Sequence, residues 1–156
     1  MKKWSGVRPM IDLKDNAGKY VSVIWRNMIS YMARKMEPLG IGAGQYPYLF
    51  SLYVEDGQSQ QCLSDRMLVD KAATVRSVNK LEAAGYVERR PDQQDKRSFR
   101  VFLTENGRTV RPQLEAIVEE VQEILLDNMS REEKDVLKRL LPRMAGNIMQ
   151  VNRGSR

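Results

Sequence analysis

Between Lys71 and Leu81 two kinds of side chain recur on a helical period. Val75, Val78 and Leu81 share one face and can pack on a domain. Lys71, Thr74, Arg76, Ser77, Asn79 and Lys80 set hydrogen-bond donors and positive charge around the rest. An α-helix fits the DNA major groove, where Arg or Lys bonds guanine edges and Asn bonds adenine. Ala72, Ala73, Thr74 and Ser77 are small enough to let a backbone approach closely and to touch thymine methyls. A solvated helix face has the same look, so the segment that follows decides the reading. Residues 86–90 and 98–103 alternate like strands, and residues 91–97 join them as a polar hairpin tip. Asp95, Lys96 and Arg97 stand at the tip, with Arg89, Arg90 and Arg100 along the strands. A narrow minor groove concentrates negative potential and draws in an Arg, and a carboxylate two residues away can brace the guanidinium. Solvated turn charge is the plain alternative. Helix and hairpin together point to double-stranded DNA as the partner.

The elements that must position these residues follow from local signals. Residues 45–53 form a short apolar pattern that ends at Glu55-Asp56-Gly57, and residues 60–68 form a second short helix. Asp70 is placed to cap the third helix, which runs through Leu81 and stops at Gly85. Thr104 is placed to cap the next. Helix, turn, helix and two-stranded wing is the expected order.

Longer amphipathic helices bracket this middle. Val21, Ile24, Trp25, Met28, Met32 and Met36 recur at helical spacing until Pro38 and Gly40 end the run. Val110, Leu114, Ile117, Val118, Val121, Ile124 and Leu125 form a second stripe with acidic residues opposite. Ser130 and Glu133 then read as a capping box before a final helix through Leu137, Leu140, Leu141, Met144 and Ile148. Pro112 and Pro142 fall inside these patterns, where a bend or interruption is expected. Stripes this wide exceed what so small a middle can cover, which favours a second copy of the chain over a purely internal core. The expected fold class is mainly α with a small β wing. It comprises an N-terminal dimerisation helix (10–40), a winged helix-turn-helix (43–103) and C-terminal dimerisation helices (104–150).

Composition removes several alternatives. The 156 residues contain no histidine, so Ser–His–Asp and Cys–His catalysis and the commonest zinc sites are not open to the chain. Carboxylates alone would favour hard ions, and no metal or cofactor is expected. Cys62 is the single cysteine, incapable of an internal disulfide. It lies near a helix N-terminus, where a thiol can be activated, yet free cysteine is more often a small buried filler. No apolar run approaches the ~20 residues of a membrane span, and charges with Pro9 interrupt residues 1–14 as a signal peptide. A cytoplasmic location is the expectation. The formal net charge is +6. Residues 66–100 hold nine basic and five acidic side chains, against two and six in residues 104–129, which suits an anionic partner of the middle segment.

Residues 63–108 resemble the core of the MarR family of winged-helix regulators. The ordered matches are Leu81-Glu82, Gly85, Val87-Glu88-Arg89, the wing Asp95-Lys96-Arg97, and Leu103-Thr104-Glu105-Asn106-Gly107. The resemblance implies a homodimer joined by its terminal helices and bound to a pseudo-palindromic operator. The recognition helix then lies in the major groove and the wing Arg in the minor groove. It also implies, for many members, release by a small aromatic or phenolic effector in a crevice beside the dimerisation helices. Trp25, Arg26, Tyr31, Tyr46 and Tyr48 lie on the segments that border such a crevice in similar proteins, although aromatic residues at helical spacing also serve as core. Other members sense oxidants through cysteine. Leu68 stands where relatives often hold a Gly, Ala72-Ala73 where they are often more polar, and Pro112 is unusual in the long helix. The expected function is therefore a DNA-binding regulator, most simply a repressor. A winged-helix adaptor that reads no DNA, a redox regulator acting through Cys62 and an enzyme acting on acidic substrates are the alternatives.

Overall fold

The computed structural model describes residues 16–93, 95 and 98–154. Helix α1 (Ala17–Met36) starts where the Asn16 side chain accepts the Lys19 N–H at 2.9 Å. A 3₁₀ turn (Glu37–Leu39) follows, and Gly40 ends it at φ +64°, a conformation that costs a residue without Cβ nothing. Met32 and Met36 are buried, whereas Tyr20, Val21, Ile24 and Trp25 stay exposed. The stripe predicted on this helix is therefore covered only at its C-terminal end.

Next come α2 (Tyr46–Val54), the two-residue strand β1 (Gln58–Ser59), α3 (Gln60–Met67) and α4 (Lys71–Ala83). Strands β2 (Val87–Pro91) and β3 (Phe99–Leu103) complete an antiparallel sheet in the order β1-β3-β2. The wing is thus three-stranded, where two strands were expected. Gln58 pairs with Val101 and Ser59 with Arg100, too short a run to leave a periodic trace in sequence. Leu49, Leu52, Leu63, Val78, Leu81, Val87 and Val101 form the centre of the core. Burial of each large aliphatic side chain contributes roughly 1.5–3 kcal/mol.

Helix α5 (Glu105–Thr109) is separated from α6 (Arg111–Leu125) at Val110. Pro112 falls in the first turn of α6, where its missing N–H leaves no helical bond unmade, so the expected interruption is found. Asn128 adopts φ +59° before α7 (Arg131–Gly154). The capping box is present: Ser130 N donates to Glu133 Oε2 at 2.7 Å, and Glu133 N to Ser130 Oγ at 3.2 Å. Pro142 does not interrupt α7, which runs continuously through it. The chain divides into two compact units between Ile117 and Val118, inside α6. In the C-terminal unit Ile124 and Leu125 of α6 are exposed, as are Val136, Leu140, Leu141, Met144, Ile148 and Val151 of α7. Among the described residues no helix is long and apolar enough to cross a membrane.

Candidate nucleic-acid interface

Helix α4 is held at both ends. Before it, α3 closes with Leu68 N donating to Asp65 O at 3.4 Å and Val69 N to Ser64 O at 3.2 Å. These are the two bonds of a Schellman motif, which needs one residue in the left-handed region. Leu68 takes that place at φ +56°. Asp70 Oδ1 then accepts Ala73 N at 2.7 Å and starts α4, as its spacing predicted. After α4, Gly85 turns the chain at φ +78° and Tyr86 N donates to Leu81 O at 2.9 Å.

The anchored face of α4 is Thr74, Val78 and Leu81, all buried, with Val75 only partly covered. Thr74 is therefore a correction to the expected DNA-contact set. Its Oγ1 lies 2.9 Å from Ser64 Oγ and 3.4 Å from the Tyr48 hydroxyl, so the three hydroxyls tie α2, α3 and α4 together. The same contact makes Tyr48 a core side chain of α2. Opposite them, Lys71, Ala72, Arg76, Asn79 and Lys80 are exposed and Ser77 is half-buried. Ala72, Arg76, Asn79 and Lys80 follow the i, i+4, i+7, i+8 row of one ridge.

The wing sorts its arginines. Arg90 pairs across the strands with Arg100, and Arg89 with Val101. Arg89 forms an ion pair with Glu82 of α4, its Nε 3.1 Å and its backbone N 3.2 Å from the two carboxylate oxygens. The pair holds the Glu82 carboxyl below its usual pKa, chiefly through the Arg89 side-chain bond. That placement makes Arg89 a link between α4 and the wing, its fork engaged by Glu82. Arg90 is exposed, pairs with Glu88 and sits 4.6 Å over the Phe102 ring. Arg100 Nε donates to the buried Asp92 at 2.7 Å and its Nη1 to Gly57 O at 3.0 Å, which fixes the wing base to the turn before β1. Ser98 N donates to Asp95 O at 2.9 Å near the tip, where Asp95 is exposed. Lys96 and Arg97, also expected to contact DNA, lie outside the described residues, as does the 10–15 stretch of the N-terminal dimerisation region.

Two further junctions escaped the sequence reading. Asp56 Oδ1 accepts Leu103 N at 2.8 Å and Gly57 N at 3.0 Å, while its Oδ2 takes Arg108 Nη2 at 2.6 Å. Tyr53 donates its hydroxyl to Gly107 O at 2.8 Å, and Arg111 lies 5.1 Å over its ring. Burial pushes the Tyr53 hydroxyl up to about 12, so it remains a donor. A Cβ on Gly107 would meet Tyr86 O at 2.1 Å, which gives the glycine of the Leu-Thr-x-x-Gly run its physical reason. None of these long-range partners has a fixed spacing from the other.

The remaining effector candidates are spread over α1 and α2. Trp25 and Arg26 are exposed, with Arg26 Nε 3.3 Å from Ser22 O in its own helix. Tyr31 is flanked by Arg34 and Lys35. Tyr46 meets Phe50 edge-on at 5.8 Å. Cys62 is half-buried with its Sγ 3.4 Å from Gln58 Oε1, a contact that suits a packing role. Among the described residues no group of three or more His, Cys, Asp or Glu could hold a metal ion.

A capped pair of helices around a tight turn, with a hairpin sheet following, defines a winged helix-turn-helix. Residues 39–98 match the family model described as MarR family. The uncharacterized HTH-type transcriptional regulator YybA of Bacillus subtilis (strain 168) is 33% identical over 128 residues, covering 82% of this chain and 85% of that protein. A MarR transcriptional regulator from Methanosarcina mazei Go1 is 41% identical with a TM-score of 0.80, covering 86% of this chain and 96% of that one. A Listeria monocytogenes protein assigned to the same family, solved complexed with 26mer DNA, has a TM-score of 0.78. At 23% identity over 86% of this chain and 89% of its own, it shows the shared fold. The chain belongs to the MarR family of transcriptional regulators. Such proteins are regulators and not enzymes, which removes the acidic-substrate alternative.

Proposed function

We propose that this regulator acts as a cytoplasmic homodimer on a pseudo-palindromic operator in double-stranded DNA, as a repressor relieved by a small aromatic or phenolic effector. The observation that carries the reading is the open ridge Ala72, Arg76, Asn79 and Lys80 on a helix whose opposite face is anchored. Arg76, Asn79 and Lys80 have the donor sets for base edges or phosphate. Lys71 and Ser77 flank them, and the wing adds Arg90, Asp95, Lys96 and Arg97. The Listeria fold relative, solved with 26mer DNA, is a precedent for this architecture on a duplex. Support for the dimer comes from the exposed apolar side chains of α1, α6 and α7. Trp25, Arg26, Tyr31 and Tyr46 are the candidates for effector contact. The half-buried, hydrogen-bonded thiol of Cys62 favours this reading over redox control.

Selecting duplexes from a random library with the purified protein, then repeating the selection with Arg76→Ala and Lys80→Ala, tests the assignment. A residue at a base edge should relax preference at one operator position, at a cost of about 1–3 kcal/mol. A residue at phosphate should weaken all sequences alike. Unchanged binding in both variants would mean that α4 is not the recognition helix.

A further inference from the structure

The geometry points to Glu82 and Arg89 as a clamp that sets the angle between α4 and the wing, so that helix and hairpin meet their two grooves of DNA together. The inference rests on the DNA-binding reading above. Glu82 stands in the last turn of α4 and Arg89 at the third position of β2. Three bonds join them: the Arg89 Nε and Nη2 both reach Glu82 Oε2, and the Arg89 backbone N reaches Oε1 at 3.2 Å. The backbone bond distinguishes this pair from Arg90–Glu88, which joins side chains within one strand, and from Arg111–Glu115, which does so within one helix. Because the sheet order is β1-β3-β2, β2 lies at an edge, and among the described residues no strand receives its Arg89 N–H. The Glu82 carboxylate takes the place of that missing strand and ties it to the helix. Forked and charge-assisted, such a pair fixes direction as well as distance.

Direction matters here because the wing is a lever. A strand rises about 3.3 Å per residue, so Asp92, whose N–H still donates to Ser98 O across the hairpin, lies about 10 Å beyond Arg89. A tilt of about 10° at Arg89 then moves Asp92 by about 2 Å, while a hydrogen bond tolerates a few tenths of an ångström. The turn through Gly85 positions the root of β2, but Glu82 holds the strand two residues beyond its start. Both residues are positioning residues: neither needs to touch DNA.

The test uses the full-length protein and a duplex that the parent chain enriches from a random pool. Glu82→Ala and Arg89→Lys should each bind that duplex about ten-fold more weakly at a temperature where circular dichroism shows them folded. Glu82→Gln, which keeps an acceptor for the Arg89 N–H, should lose less. Footprints should show major-groove guanine N7 protection retained and minor-groove protection weakened. Arg89→Lys keeps the charge and the backbone bond, so it gives an answer even if Glu82→Ala does not fold. Variants that melt earlier yet bind and protect both grooves as the parent does would overturn the clamp alone. A parent that enriches no duplex would overturn the DNA reading, and the clamp's part in it.

Discussion

At the scale of single side chains, an oxygen can serve the chain segment beside it or a group packed against it from elsewhere in the fold. Asp70, Thr104 and Ser130 cap helices as their spacing implied, since the donor they satisfy is always two or three residues away. Thr74 and Tyr48 misled because a hydroxyl looks the same in sequence whether it faces water or a buried partner. Thr74 meets Ser64 from ten residues away and Tyr48 from twenty-six. Replacing Thr74 by Val keeps the shape and removes the shared hydroxyl, leaving the buried Tyr48 hydroxyl short of a bond while Ser64 Oγ keeps Gln60 O at 2.9 Å. Chemical denaturation should show a loss of about 1–2 kcal/mol. Operator preference, measured by repeating the selection, should stay the same. A Thr74→Val protein of parental stability that has lost preference at one base pair would return Thr74 to the reading surface.

At the scale of elements, periodicity located the long helices and the hairpin, while β1 escaped because two residues carry no period. Pro112 broke a helix and Pro142 did not, and position explains the difference. Pro112 sits in a first turn, where no bond is lost. Pro142 lies within α7 and forfeits one bond of a helix that caps and length otherwise sustain. The turn between α3 and α4 carries an opposite kind of strain. Leu68 occupies a left-handed position and is 49% exposed, so little packing offsets the conformation. Left-handed geometry costs a residue with Cβ roughly 1–2 kcal/mol. Leu68→Gly should therefore raise stability by about 1 kcal/mol, less the small entropic penalty of glycine, without altering the helices by circular dichroism. A clear loss of stability would show that the Leu68 side chain makes a contact worth more than the strain.

At the scale of the whole molecule, amphipathic patterns gave the expectation of a dimer, and the exposure of those patterns now gives it residues. Leu140, Leu141, Met144, Ile148 and Val151 stand open along α7, a surface that a stable monomer rarely presents. Sedimentation at micromolar concentration should give twice the 18.0 kDa chain mass, and Leu140→Glu with Ile148→Glu should shift it toward one. A parent chain that sediments as a folded monomer would contradict the arrangement. In the proposed complex a dimer would set two copies of α4 and two wings on one duplex, and with them the basic excess of residues 66–100. Neutralised phosphates release counterions, so affinity must fall as salt rises, in proportion to the number of contacts. The most direct measurement is the affinity of the parent dimer for its selected duplex across a salt series. A log–log slope equivalent to roughly six to ten phosphate contacts is the predicted result; a slope near zero, or no duplex selected at all, would contradict DNA recognition by this chain.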